Sequence, residues 1–439
     1  MTFDTFAPQV TLGRKNSSSA SHRQLWRQRG FLKGDVIMAE NQYTYVIVGA
    51  GLAGGSAAQA IREIDSEQSL LLIGAEKHLP YHRPPLSKGL WTQTKTIPSI
   101  FLEDDRYYEN NRIDTHRGDP VVELNAEEKW VVTKDGVRFG FEKLLLATGG
   151  APKKLPIPGG DHPDIIYFRT LDDFTRAREI AAPGKKALVI GGGFIGSEIA
   201  AALSRNKLDV TMLFLGHVMC ERVFPSSLGA AIQRMYEERG VHIRAGDAPV
   251  SIEKRTERFV ITTRRGESIE ADMIIAGVGI APDTGLAAQA KLRTGNGIVV
   301  DDYFQTSDPV IHAAGDNALF PYKSLGARRI EHWDAAASQG AHAGRVMAGQ
   351  MEPYTYLPYY FSDLFDFGYE AVGETDPGLE TFADWKTENE TGVVYYLKES
   401  RVRGVLLCNV WGQVDRAREL VENQKPVSPD DLAGLLTGD

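Results

Sequence analysis

The feature that most constrains this chain is a pattern that occurs twice: an apolar strand runs straight into a glycine-rich turn and then into a helix. The first copy is Tyr45-Val46-Ile47-Val48 followed by Gly49-Ala50-Gly51-Leu52-Ala53-Gly54. The second is Ala187-Leu188-Val189-Ile190 followed by Gly191-Gly192-Gly193-Phe194-Ile195-Gly196. Each continues through an Ala-rich stretch of helical spacing into another apolar strand, at residues 70–73 and 210–214. That is a βαβ unit, repeated. In the first copy Gly49 makes the turn, Gly51 lets backbone approach a pyrophosphate, and Gly54 lets helix pack on strand. The helix start then offers unpaired N–H groups and about half a positive charge to the phosphates. Glu76 lies 76 − 54 = 22 residues beyond Gly54, close to the roughly 20 expected of a ribose-binding acid. The competing reading is a tight turn that binds nothing; strand, helix and acid together argue against it.

Length and composition bound the rest. At 439 residues the chain is too long for one core and implies two or three domains. Its net charge of −9, without a long basic run, speaks against nucleic-acid binding. No apolar run approaches the roughly 20 residues of a membrane-spanning helix. The two cysteines, Cys220 and Cys408, are far apart, which excludes a disulfide scaffold, a C-x-x-C redox pair and a cysteine-based metal site. No metal is expected. A reducing compartment, the cytoplasm, is the natural home. The first residues, 1–41, carry a Ser run and several basic residues, and are expected to be a disordered or non-native tail; Asp4 and Asp35 count against an organellar targeting segment, the minority reading.

Strands are expected to flank turns at 121–124 and 130–133, and again at 259–263 and 268–270. A further strand ends at Thr148-Gly149-Gly150, with a counterpart ending at Gly277-Val278-Gly279. From about Tyr354 the character changes to an aromatic-rich, smaller α+β region, closed by a strand at 402–407 and a helix at 414–423. The residues from Pro426 on are expected to be partly mobile.

The run His78-Leu79-Pro80-Tyr81-His82-Arg83-Pro84-Pro85-Leu86-Ser87-Lys88 resembles the FAD domain of two-dinucleotide flavoprotein reductases, specifically the ferredoxin and rubredoxin reductases and apoptosis-inducing factor. Ala147-Thr148-Gly149 is similar to that family's second FAD motif. Thr306-Ser307-Asp308-Pro309 with Ile311-His312-Ala313-Ala314-Gly315-Asp316 is similar to its third. The resemblance runs from about Tyr43 to Asn423. It implies an α/β fold of two Rossmann-like dinucleotide-binding domains, three-layered and glutathione-reductase-like, plus a small α+β C-terminal domain. The expected boundaries are 42–155 with 286–350 for a discontinuous FAD domain, 156–285 for an NAD(P)H domain and 351–439 for a C-terminal, dimerisation-type domain. A homodimer is one arrangement the resemblance allows.

The resemblance also implies roles. On the FAD side it places Gly49, Gly51, Gly54, Glu76, Arg83, Lys88, Thr148, Gly149, Arg169, Asp316, Glu331, His332, Trp333 and Phe361, with Asp316 on the ribityl chain. The family usually has Trp at the position of Phe361. On the NAD(P)H side it places Gly191, Gly193, Gly196, Glu198, His217, Gly279 and Glu370. Glu331-His332-Trp333-Asp334 precedes an Ala-rich helical stretch ending near Gly349, whose N-terminus the resemblance directs at the flavin; Asp334 is either part of that segment or only its helix N-cap. Glu198, two residues past Gly196 and taken as first-turn, is a dipole-complementing acid on the bland reading. By resemblance it pairs with Lys88 beside the flavin, the two catalytic candidates. No acid follows the strand at 210–214, where the chain reads Leu215-Gly216-His217, so NADH and NADPH both stay open.

Disulfide reductases of this fold carry a cysteine pair after the first βαβ unit; this chain has Lys88 there. Electrons therefore leave directly from the flavin, which takes two as hydride and can release them singly. The expected activity is FAD-dependent NAD(P)H oxidoreduction with an iron–sulfur protein of ferredoxin or rubredoxin type as acceptor. The alternatives are an apoptosis-inducing-factor-like NADH oxidoreductase using quinone or oxygen, and a redox-dependent NADH-sensing binding protein.

Overall fold

The computed structural model describes residues 41–437. The expectation for 1–41 lies outside them apart from Asn41, whose carbonyl accepts the Gly140 N–H at 3.0 Å. Two largely parallel sheets form the frame. In the first, Ile113–Arg117, Leu70–Gly74, Gln42–Val48 and Arg138–Leu146 run side by side in that order, all parallel. The free edge of Arg138–Leu146 is shared. Its first residues pair antiparallel with Trp130–Thr133, and its last pair parallel with Ile311–Ala313. The strands are apolar on both faces, as a sheet covered on both sides requires: Val46, Ile47, Leu144, Leu145 and Leu146 are fully buried.

Parallel pairing sends every carboxyl end to one edge, and that is what assembles the site. Gly49 N–H donates to Ile73 O (2.8 Å), Ala147 N–H to Val48 O (2.8 Å) and Ala314 N–H to Leu146 O (3.3 Å). Three motifs more than 250 residues apart at their extremes thus leave the sheet side by side. Ligands of open α/β sheets bind at this edge.

The second sheet repeats the plan with five parallel strands in the order His242–Ala245, Asp209–Phe214, Lys186–Ile190, Met273–Ala276 and Ile166–Tyr167. The antiparallel ribbon Pro249–Arg255, Arg258–Thr263 and Ser268–Ala271 lies in the connection from His242–Ala245 to Met273–Ala276. A two-stranded ladder, Gly150–Pro152 with Ile280–Pro282, carries the chain out of the first sheet and back. The third sheet is antiparallel, ordered Tyr359–Leu364, Phe367–Gly373, Arg401–Cys408, Thr391–Lys398 and Glu380–Thr387, with the helix Val414–Asn423 packed on it.

Two expectations are corrected. The tail after Pro426 is docked: Leu432 and Leu436 are buried, and Asp384 accepts from Gly434 N–H (3.0 Å) and the Thr437 hydroxyl (2.9 Å). Asp334 is not the N-cap. His332 holds that position, and Asp334 lies in the first turn of the helix Trp333–Met347, accepting the Tyr359 N–H at 3.1 Å.

Candidate active site between two nucleotide cradles

The two glycine loops have the same backbone. Gly49 and Gly191 lie at φ +116° and +118°, and Gly51 and Gly193, which precede their helices, share φ −88°, ψ −167°. The glycines divide into two kinds. A Cβ on Gly49 would sit 2.1 Å from Ala147 O, and one on Gly54 1.9 Å from Gly49 O. At Gly191 and Gly196 the corresponding clashes are 2.3 Å and 2.0 Å. Internal packing therefore demands those four. At Gly51 and Gly193 a Cβ would meet no protein atom within 4 Å; both face open space at a helix start. Neither helix carries a capping side chain or a first-turn acid. A middle glycine that the fold itself does not need, beside unpaired amides, fits a pyrophosphate and not a bare turn.

Around the first cradle four of the expected FAD-side residues, Glu76, Arg83, Arg169 and Asp316, form one connected network. Glu76 accepts from the Tyr81 hydroxyl (2.6 Å) and Arg83 (2.7 Å); Arg83 also donates to Arg169 O (2.7 Å), and Arg169 pairs with Asp316 at 2.6 Å. Thr148 donates to Asp283 O at 2.9 Å, and Gly149 turns at φ +67°. Gly279, at φ +93°, precedes the strand Ile280–Pro282 of the two-stranded ladder. Tyr81 was not singled out from sequence; only the fold turns its hydroxyl onto Glu76. Glu331 pairs with Arg329, whose guanidinium also donates to Asp316 O at 3.0 Å.

Between the cradles lies the pair anticipated from sequence. Lys88 Nζ is 3.2 Å from Glu198 Oε1, their side chains 17% and 7% exposed. Glu198 is not in the first turn of its helix: the helix begins at Phe194, so Glu198 opens the second turn and faces Lys88. Burying an ion pair costs desolvation that the attraction repays only with further hydrogen bonds. Here two hydroxyls supply them, Ser87 to Oε2 and Ser362 to Oε1. Lys88 also sits 4.7 Å above the Phe361 ring and 3.8 Å from Asp363. Phe361 thus meets the lysine as a cation–π partner.

An aromatic wall closes this space. His332 stacks on Tyr360 (4.3 Å, 12°), and Phe194 lies 5.8 Å from His332 and 5.6 Å from Tyr360. Burial pushes the His332 imidazole down to about 4, so it is neutral at pH 7. Trp333 donates its indole N–H to His82 Nδ1 at 2.8 Å. Glu370 pairs across strands with Phe361; its Oε2 is buried without a hydrogen-bond partner, and burial raises its pKa. An orphaned buried acceptor is expensive unless a ligand donor completes it. Ser87, Ser362 and Phe194 carried no signal readable from sequence beyond their neighbours. His217 is not brought into this space; it is exposed in the turn after Asp209–Phe214, with its N–H donated to Glu221 at 3.2 Å. Cys220 and Cys408 are buried and free, and burial pushes the Cys220 thiol up to about 12, so neither is a nucleophile at neutral pH.

The family model for pyridine nucleotide-disulphide oxidoreductases matches residues 43–340. Among curated relatives, mitochondrial apoptosis-inducing factor 1 of Dictyostelium discoideum is 31% identical, over 96% of this chain and 85% of its own length. Among solved structures, putidaredoxin reductase in its covalent complex with putidaredoxin superposes with a TM-score of 0.84 at 31% identity, covering 90% of this chain and 96% of that one. A ferredoxin reductase from Rhodopseudomonas palustris gives 0.83 at 29% identity, covering 89% and 97%. The chain belongs to the pyridine nucleotide-disulphide oxidoreductase family, as an FAD- and NAD(P)H-dependent oxidoreductase that has no cysteine pair.

Proposed function

We propose that this protein is a ferredoxin reductase: it takes a hydride from a reduced nicotinamide dinucleotide and delivers electrons singly to an iron–sulfur protein. One observation carries the reading, the Lys88–Glu198 pair set between two nucleotide cradles in a chain that has no C-x-x-C redox pair. Residues 42–155 and 286–350 would hold FAD, 156–285 the nicotinamide dinucleotide, and 351–439 would close the site.

Bound FAD supplies the chemistry, accepting two electrons as hydride and releasing them one at a time. The chain's residues position and polarise. The Gly51 and Gly193 loops, with their helix starts, take the two pyrophosphates. Arg83, Arg169 and Asp316, held together by hydrogen bonds and an ion pair, would meet the FAD on the first-cradle side. Lys88 would offer a positive charge to the FAD bound there, and Glu198, held by the Ser87 and Ser362 hydroxyls, keeps the lysine in place. Glu370, with its unfilled acceptor, would take an amide N–H of the nicotinamide. Neutral His332, Tyr360 and Phe194 exclude water.

Relatives that are reductases of ferredoxin-type partners, one of them crystallised with its putidaredoxin, support the acceptor class. The similarity to apoptosis-inducing factor supports a second reading, slow turnover with quinone or oxygen. The free, buried cysteines suit a reducing compartment such as the cytoplasm. Among the described residues no helix is long and apolar enough to cross a membrane.

Stopped-flow mixing of the FAD-loaded protein with NADH or NADPH tests this. Rapid bleaching of the flavin, with cytochrome c reduced only when a ferredoxin is added, is the expected result. Slow bleaching with acceptor activity confined to quinone or oxygen would replace it by the second reading. Slow bleaching with a change in oligomeric state would favour a redox sensor.

A further inference from the structure

The second cradle lacks an acid at the end of its second strand, where Phe214 is followed by Leu215-Gly216-His217. We propose that Glu221, reaching back from the next loop, supplies the missing ribose-binding carboxylate and makes the protein selective for NADH. This deepens the proposed function and rests on its reading of the second cradle as the nicotinamide site.

Three observations place Glu221 there. First, its two carboxylate oxygens are set around the strand end: Oε1 accepts the His217 N–H at 3.2 Å, and Oε2 lies 2.6 Å from where a Cβ on Gly216 would stand. Gly216 has no positive φ to explain it. The Glu221 carboxylate lies over the side of Gly216 that carries no side chain. Second, the loop that carries Glu221 is fastened to the cradle itself. Cys220 N–H donates to Gly192 O at 2.8 Å, and Val223 and Phe224 N–H both donate to Cys220 O at 2.8 and 2.9 Å. Cys220 takes a left-handed φ of +52°, the local bend that turns the next residue back towards the strand end. Third, Glu221 is exposed, so it can exchange water for the ribose hydroxyls.

The chemistry follows from placement. A carboxylate beside the adenosine ribose accepts from the 2′- and 3′-hydroxyls and repels a 2′-phosphate. The opposite charge is close by. Arg265 donates to Ala245 O (3.2 Å) and Gly246 O (3.4 Å), and its guanidinium and His217 Nδ1 lie 3.0 and 3.7 Å from the Cβ position of Gly246. Arg222 is also exposed next to Glu221. Those cations flank the turn, whereas the carboxylate occupies the strand end.

The test is equilibrium binding. Titrating the FAD-loaded protein with NAD+ and with NADP+, followed by tryptophan fluorescence, gives the two Kd values in wild type, Glu221→Gln and Glu221→Ala. Wild type is expected to favour NAD+ by tenfold or more, and both variants to narrow that ratio by about tenfold. Flavin absorbance should stay unchanged, because Glu221 is a surface residue. A ratio unaltered by both substitutions, or a wild type that favours NADP+, would overturn the assignment. Binding of neither dinucleotide would instead overturn the reading of the cradle, and the assignment with it.

Discussion

At the scale of single residues the site is a problem of buried charge. Lys88 and Glu198 are nearly enclosed, and each has its partner within reach. Replacing Lys88 by Ala leaves the glycine cradles untouched and strands the Glu198 carboxylate. We expect flavin reduction to slow by about 10²-fold, the typical worth of one charge-stabilising donor, with FAD still bound. Stopped-flow absorbance would check this, and an unchanged rate would remove Lys88 from the chemistry. A second buried group acts on stability. Both ring nitrogens of His312 lack hydrogen-bond partners, and burial pushes its pKa down to about 4, against about 6.5 in the unfolded chain. Between those values the unfolded state binds a proton that the native state does not. Stability therefore falls as pH drops through that window, by up to about 3 kcal/mol, and is complete above pH 6.5. His312→Leu should flatten the pH dependence of urea unfolding between pH 4.5 and 6.5 by up to one proton; an identical slope would show that His312 does not titrate there.

At the scale of elements, the first cradle helix, Leu52–Ile64, packs backbone to backbone against the helix Trp333–Met347. Cβ atoms on Gly340 and Gly344 would fall 2.2 Å from Ala53 O and 2.4 Å from Ala57 O. The backbones touch because small residues face each other at four-residue spacing on both helices. Sequence reading identified both stretches as Ala-rich helices, but helical spacing says which residues share a face and not which helix that face meets. Gly340→Ala adds a methyl group against fixed backbone, so a loss of about 1–3 kcal/mol is expected. It also pushes on Ala53 in the cradle, so FAD should be retained less well than in a control such as Gly136→Ala, an open turn position at φ +84°. Thermal unfolding and released-flavin fluorescence report the two effects separately. Equal flavin retention in both variants would uncouple the helix pair from the cradle.

Across the whole molecule, three sheets supply one site. Lys88 comes from the segment after the second strand of the first sheet, Glu198 from the second cradle helix, and Ser362 and Phe361 from the edge strand of the third. The third sheet therefore does more than enclose. Ser362→Ala removes one of two hydroxyl donors to Glu198, and flavin reduction should slow by about tenfold, the worth of one hydrogen bond to a charged group, while Ser362→Thr restores it. If Ser362→Ala reduces flavin as fast as wild type, the third sheet is only a cover. The two cradles and their helices were legible in the sequence itself, because each is written in contiguous residues whose spacing follows from backbone geometry and phosphate chemistry. The three flavin-side motifs and the pairing of Lys88 with Glu198 were legible only through the resemblance to a family, since the pair joins residues far apart in the chain. Tertiary structure alone decided that Ser87 and Ser362 clamp Glu198, that Tyr81 and Arg83 occupy Glu76, and that Glu221 turns back into the place of a side chain at Gly216. Those contacts join residues far apart in the chain or across a bent loop. Their energy comes from satisfying buried charge and filling space, and neither leaves a local pattern.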